Sequence, residues 1–170
     1  PNILFILTED QGTQLSFLET PDLQTPNMDR IARAGVYFDS AFVNYPVCSA
    51  SKAALYTGLH NHTNGIRANT LNYFKPAARV TESERAHPLA QRLRLVDEYP
   101  SLIELLHEAG YFLGVTHKLH VLPNRKFPFD TWQPHAGGPQ LRKFIQQAQA
   151  RCQPWFMMYN IPNPHRPWPN

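Results

Sequence analysis

Val47-Cys48-Ser49-Ala50-Ser51-Lys52-Ala53-Ala54-Leu55-Tyr56-Thr57-Gly58 is the stretch on which the fold prediction rests. Ser49 and Ser51 are typical helix N-cap residues, the residues that follow are mostly good helix formers, and Gly58 suits a helix end. We therefore expect a loop that brings Cys48 to the start of a helix, where unpaired N–H groups favour a bound anion. The alternative is a buried cysteine on an ordinary helix, with no role in a site.

Composition limits the classes to which the chain can belong. Its 170 residues, 42% of them hydrophobic, suffice for one domain with a real core. The net charge of +3 is spread without blocks, which permits an anionic substrate but does not indicate nucleic acid binding. Two cysteines do not make a disulfide framework, and no apolar run is long enough to predict a membrane span.

The first part of the chain predicts a strand–helix–strand unit. Residues 2–7 form an apolar run without alternation, as expected for a strand buried on both faces of a parallel sheet. Residues 25–35 carry the punctuation of a helix, with Met28, Ile31 and Ala32 on its predicted buried face. Residues 36–43 alternate as a second strand that leads to the cysteine, so a right-handed crossover is expected.

The second part continues the same alternation. We expect a helix over residues 100–110 and a strand over 111–116, then a helix over 139–151 and a strand over 154–160. Residues 66–99 are basic and lack a period, which favours a solvated surface loop, although substrate contacts from this region stay possible. The prediction is an α/β fold with a mostly parallel central sheet flanked by helices.

Titratable side chains follow several of the predicted strands. Glu9 and Asp10 come after the first, Lys118 and His120 after residues 111–116, and His165 after the last. The carboxyl ends of parallel strands are where open α/β sheets bind ligands. Two carboxylates suit a hard divalent cation, and a lysine beside an imidazole suits an anion and a proton transfer. For each motif alone, a solvated surface loop remains the alternative.

Taken together, these motifs resemble the type I sulfatases of the alkaline phosphatase superfamily. The family signature Cys-x-Pro-x-Arg, followed by Thr-Gly, is matched from Cys48 to Gly58, with Ala50 in place of proline and Lys52 in place of arginine. Glu9-Asp10 matches a pair of aspartates that bind calcium. Further matches are Lys118-x-His120, Pro164-His165-Arg166-Pro167 and, for the heparan N-sulfatase (sulfamidase)-like branch, Gly58-Leu59-His60-Asn61-His62-Thr63-Asn64-Gly65.

The resemblance implies a hydrolase of sulfate esters or N-sulfate groups. Its nucleophile would be a hydrated formylglycine derived from Cys48, with a calcium ion held by Glu9, Asp10 and the modified Cys48. Lys52 would support this centre, Lys118 would contact the sulfate, His120 would assist breakdown of the covalent intermediate, and His165 would protonate the leaving group. The catalytic residues implied by the resemblance are therefore Cys48, Lys52, Lys118, His120 and His165.

The resemblance also implies a setting and partners. Residues 1–170 would be the N-terminal portion of a sulfatase catalytic domain, inactive in isolation, and a periplasmic, secreted or lysosomal location is favoured. The partners would be a sulfated small molecule or glycan and a formylglycine-generating enzyme. Three alternatives stay open: a phosphate or phosphonate ester hydrolase of the same superfamily, a sulfatase-like binding protein without formylglycine, and a hydrolase that uses the Cys48 thiolate.

Overall fold

A four-stranded parallel sheet forms the centre of the computed structural model, which describes residues 1–166. The strands are β1 (Ile3–Thr8), β2 (Phe112–Thr116), β3 (Thr131–Gln133) and β4 (Trp155–Ile161). Their order across the sheet is β1-β4-β2-β3, so the last strand in sequence lies between the first two. The predicted α/β class with a parallel sheet is confirmed.

Seven α-helices accompany the sheet within the described residues. They are α1 (Pro26–Ala34), α2 (Cys48–Thr57), α3 (Asn61–Asn64), α4 (Glu82–Ala86), α5 (Pro88–Arg92), α6 (Leu102–Glu108) and α7 (Gly138–Ala150). Among residues 1–166, no helix combines the length and the apolar character needed to cross a bilayer.

Two apolar clusters cover the opposite faces of the sheet. On one face, Phe156 and Met158 of β4 pack with Tyr56 of α2 and Ile103 of α6. On the other face, Met157 packs against α7, whose Phe144 and Ala148 are buried. This alternation along β4 follows from the two-residue period of a strand, and it yields a helix–sheet–helix sandwich. The predicted face of α7, with Leu141, Phe144, Ile145 and Ala148, is confirmed.

Capping residues explain where α6 begins and where α2 ends. Ser101 caps α6, accepting a hydrogen bond from the Glu104 N–H, while the Glu104 side chain accepts one from the Ser101 N–H. Helix α2 ends at Gly58, whose φ of 67° is a left-handed conformation that glycine adopts without strain.

The predicted strand over residues 36–43 is wrong. This segment forms no strand, and its Phe38 and Phe42 side chains are 74% and 91% exposed. Alternation reports a side-chain preference, but a strand also needs a neighbour whose N–H and C=O groups pair with it. The described sheet pairs β1 with β4 alone, and it supplies no such partner for the segment.

Two predictions of burial also fail. Ile31 of α1 is exposed, while Met28 and Ala32 on the same face are half-buried. In β1, Leu4 and Ile6 are 41% and 47% exposed, so this strand is not buried on both faces within the described residues. The reason is that the apolar cluster around α7 covers residues of β2 and β4 but none of β1, so the face that carries Leu4 and Ile6 has no cover among the described residues.

Candidate active site

Three strands deliver titratable side chains to one edge of the sheet. Glu9 and Asp10 follow β1, residues 117–120 follow β2, and His165 lies in the turn after β4. The Glu9 N–H still donates to the Ile161 carbonyl at 3.1 Å, so the β1–β4 ladder extends into the site. Because all the strands are parallel, these carboxyl ends meet, as the sequence predicted.

Helix α2 presents Cys48 at its first position. Val47 is the extended N-cap residue, and its carbonyl accepts the first helical hydrogen bond, from the Ser51 N–H at 2.8 Å. Ser49 and Ser51 are therefore inside the helix rather than at its cap. The Cys48 thiol is free and half-buried, beside the N–H groups and the positive end of the helix dipole. This is a setting in which an anion is stabilised.

Glu9 holds two lysines at the base of the site. Lys52 Nζ donates to Glu9 Oε1 at 2.7 Å, and Lys118 Nζ donates to Glu9 Oε2 at 2.9 Å. The side chains of Glu9 and Lys52 are 4% and 5% exposed, and that of Lys118 is 13% exposed. The two ammonium groups and one carboxylate leave one net positive charge, which suits an anionic ligand.

The two groups of the buried ion pair respond differently to their surroundings. Burial by itself would raise the pKa of Glu9, but the attraction of Lys52 and the hydrogen bonds from Lys52 and Lys118 outweigh it and lower the pKa to about 2. Burial lowers the pKa of Lys52, and the attraction of Glu9 counteracts only part of this effect. Glu9 is therefore an anion at every physiological pH.

His120 lies beside this cluster in a left-handed conformation, with φ of 53°. Its Nε2–H donates to the Thr70 carbonyl at 2.8 Å, and its backbone N–H donates to Asn72 Oδ1 at 3.0 Å. Burial is the main reason that the pKa of His120 is lowered, so the ring is neutral at neutral pH. A neutral imidazole with one unprotonated nitrogen can accept a proton.

His165 and Asp10 form a second contact at the rim. His165 Nε2 lies 3.8 Å from Asp10 Oδ2, with His165 half-buried and the Asp10 side chain 59% exposed. The His165 backbone N–H donates to the Pro162 carbonyl at 3.0 Å, which closes the turn after β4. Pro167, the last residue of the predicted Pro-His-x-Pro motif, lies outside the described residues.

The residues of the predicted site thus meet in two direct contacts. One joins Glu9 with the two lysines, and the other joins Asp10 with His165. Cys48 lies one helical turn before Lys52, on the same side of α2. The assignment of a role to each residue stays a prediction.

For calcium, the donor chemistry at the end of β1 is suitable but incomplete. Each Glu9 oxygen uses one lone pair on a lysine and has a second available, and the Asp10 carboxylate is largely exposed. Calcium takes six to eight oxygens. Residues 1–166 contain no group of three or more His, Cys, Asp or Glu side chains that could hold a metal ion.

Sequence reasoning missed the segment from Asn69 to Asn72, which it treated as surface loop. Asn69 Oδ1 accepts from the Ser49 N–H at 3.1 Å, next to Cys48, and Thr70 is buried. Asparagine and threonine between two apolar segments indicate a turn that can cap backbone groups. That signal does not reveal which distant element is capped.

Comparison with known proteins identifies relatives of the chain. The family model described as Sulfatase matches residues 1–140. Human N-sulphoglucosamine sulphohydrolase is 29% identical over 178 residues, covering 97% of this chain and 32% of the relative. N-acetylgalactosamine-6-sulfatase of Canis lupus familiaris is 35% identical over 138 residues, covering 78% of this chain and 25% of the relative.

Solved structures support the same assignment at the level of the fold. One of them, a complex with its substrate D-glucosamine-2-N,6-O-disulfate, matches with a TM-score of 0.68 and 25% identity, covering 99% of this chain and 35% of that chain. The chain spans about a quarter to a third of the length of the curated relatives it matches.

Proposed function

Because the chain belongs to the sulfatase family, we propose that the whole protein hydrolyses sulfate esters or N-sulfate groups of a sulfated glycan. Cys48, converted to formylglycine, is the nucleophile in this proposal. The observation that carries it is the buried cluster of Glu9, Lys52 and Lys118, which leaves one net positive charge at the sheet edge. The cluster lies one helical turn from Cys48, and a sulfate group there meets both the lysines and the start of α2.

In this proposal, each side chain of the site has a separate role in the reaction at the sulfur atom. Lys118 binds a sulfate oxygen and offsets the charge that builds on it. Lys52 holds Glu9 in place and keeps the floor of the site positive beneath residue 48. His120, which is neutral, accepts a hydroxyl proton, and His165 at the rim donates a proton to the departing oxygen or nitrogen.

Two groups complete the site in the whole protein. Formylglycine at position 48 supplies, once hydrated, a hydroxyl nucleophile that a thiol does not provide, so a formylglycine-generating enzyme is a required partner. Glu9, Asp10 and the modified residue 48 would hold a calcium ion, which would supply positive charge to compensate the sulfate oxygens. Oxygen donors outside the described residues would have to complete its shell.

Sulfated amino sugars are the substrate class that the relatives favour. Two of them are named N-sulphoglucosamine sulphohydrolase and N-acetylgalactosamine-6-sulfatase, and the matched complex contains D-glucosamine-2-N,6-O-disulfate. The proposal therefore covers both N-sulfate and O-sulfate groups on hexosamines.

Sulfate release by the full-length protein, produced together with a formylglycine-generating enzyme, tests the proposal. We expect hydrolysis of N-sulfated or 6-O-sulfated hexosamines, and a loss of kcat of about 10³-fold or more in Cys48→Ala. Cys152→Ala, which removes the second free thiol of residues 1–170, an exposed one, is the matched control and should keep full activity. Activity that survives in Cys48→Ala, or hydrolysis of phosphate esters alone, would contradict the proposal.

A further inference from the structure

The loop of residues 69–72 is bonded to the start of α2. The Ser49 N–H donates to Asn69 Oδ1 at 3.1 Å, and the Thr70 N–H donates to Ser49 Oγ at 3.1 Å. Ser49 is fully buried and Thr70 is 6% exposed, so water does not compete for the second bond. The loop is therefore fixed to the residue that follows Cys48.

The same loop is bonded to His120 from two sides. The Thr70 carbonyl contacts Nε2 at 2.8 Å, and Asn72 Oδ1 accepts from the His120 backbone N–H at 3.0 Å. Thr70 thus links Ser49 of α2 to the imidazole of His120 through its backbone N–H and its carbonyl.

The Thr70 contact determines which nitrogen of His120 carries the proton. A carbonyl oxygen can only accept, so Nε2 must donate, and in the neutral ring Nδ1 is then the unprotonated nitrogen. Nδ1 is buried and has no hydrogen-bond partner within residues 1–166. A buried acceptor without a partner is rare in folded proteins and requires an explanation.

From these contacts we infer that Thr70 is a positioning residue, which holds His120 as the Nε2–H tautomer and reserves Nδ1 for a hydroxyl proton at the active site. The inference rests on the proposed function, because that hydroxyl belongs to the hydrated formylglycine at position 48. The proton moves from the hydroxyl oxygen to Nδ1, and the hydroxyl oxygen keeps the electron pair. The imidazolium that results stays hydrogen-bonded through Nε2 to Thr70, while Ser49 keeps Thr70 aligned with α2.

Nitrogen NMR of the full-length protein labelled with 15N at histidine measures the tautomer directly. His120→Gln assigns the signal, since the remaining histidines keep theirs. At neutral pH we expect a protonated Nε2 and an unprotonated Nδ1. An Nδ1–H tautomer or an imidazolium overturns the inference whatever the enzymatic activity, so this result is separate from the test of the proposed function.

Ser49→Ala tests the positioning, because it removes the acceptor of the Thr70 N–H and leaves His120 unchanged. We expect a smaller population of the Nε2–H tautomer and a fall in kcat of about tenfold, with KM changed less than about twofold. Ser51→Ala, a serine of the same helix turn, is the matched control and should leave both the tautomer and kcat unchanged. An unaltered tautomer in a folded Ser49→Ala protein would overturn the role of Thr70.

Discussion

Glu9 is the residue on which the electrostatics of the candidate active site depend. Each of its carboxylate oxygens accepts a hydrogen bond from a different lysine, and its side chain is 4% exposed. Removing one member of a buried ion pair leaves the other charge without compensation in a poorly solvated place. A single neutral substitution at this position should therefore affect both stability and ligand binding.

We predict that Glu9→Gln lowers the free energy of unfolding of the full-length protein by about 3–5 kcal/mol. Glutamine keeps the shape and one acceptor oxygen, but it cannot balance the charges of Lys52 and Lys118. Denaturation by urea, followed by circular dichroism, measures the loss.

Asp97→Asn is the matched control for this substitution. The Asp97 carboxylate also pairs with two cations, Arg94 and Arg125, but its side chain is 55% exposed. Exposed ion pairs contribute about 0–1 kcal/mol, so the control should lose little stability. Equal losses of unfolding free energy in Glu9→Gln and Asp97→Asn would show that burial of the Glu9 cluster does not contribute to stability.

The pH dependence of stability also reports the ion pairs of Glu9. The pKa of Glu9 falls from 4.5 to about 2 on folding, so its contribution is fully present above pH 4.5 and is lost as the pH falls toward 2. At about 1.4 kcal/mol for each pH unit, the wild-type protein loses about 3 kcal/mol more than Glu9→Gln across that interval. Parallel stability curves for the two proteins would contradict this assignment.

Position in the sequence predicts that several charged side chains lie at one sheet edge, but it does not predict how they pair. The positions of Glu9, Lys118 and His165 after predicted strands placed them at one sheet edge. The pairing of Glu9 with two lysines depends on distances between segments that lie 43 and 109 residues apart. Such distances follow from tertiary packing, which no local pattern encodes.

At the scale of elements, prediction succeeded where a hydrophobic pattern was bounded by caps or turns. The helix at residues 102–108 has a capping box, and the strand of residues 155–161 is an apolar run between turns. The prediction failed for residues 36–43, where the alternating pattern has no neighbouring strand in the described sheet. The three-residue strand β3 was missed because it is too short for a period to appear.

Close packing between β2 and α7 gives an element-scale prediction. A Cβ added at Gly114 would lie 2.6 Å from Phe144 Cε2, 2.7 Å from Met157 Cε and 2.9 Å from Thr131 Oγ1. We expect Gly114→Ala to destabilise the protein by about 1–3 kcal/mol, because the strand and the helix must separate to admit the methyl group. The shift in the thermal midpoint measures this loss.

Gly138→Ala is the control for that substitution. Gly138 begins α7, and an added Cβ would meet only the guanidinium of Arg142, at 3.5 Å or more. Alanine favours the helix over glycine, so the midpoint should stay the same or rise. If the thermal midpoint of Gly114→Ala also stays the same or rises, the close contact between β2 and α7 is incorrect.

At the scale of the whole molecule, the site is assembled from both ends of the described chain. Strand β4 inserts between β1 and β2, which brings residues 9 and 165 to the same edge as residue 118. The parallel class of the sheet was predictable from strands that alternate with helices, whereas the strand order was not. The reaction proposed for this edge comes from the family resemblance. The geometry adds the cluster of Glu9, Lys52 and Lys118, whose net positive charge suits an anion.

The mass of the peptide that contains Cys48 tests the central proposal most directly. It should be isolated from the full-length protein made in cells that convert another sulfatase as a positive control. We predict the mass of formylglycine, an aldehyde in place of the thiol. An unmodified cysteine, with the control sulfatase converted in the same cells, would contradict the proposed mechanism and favour a binding protein or a different hydrolase.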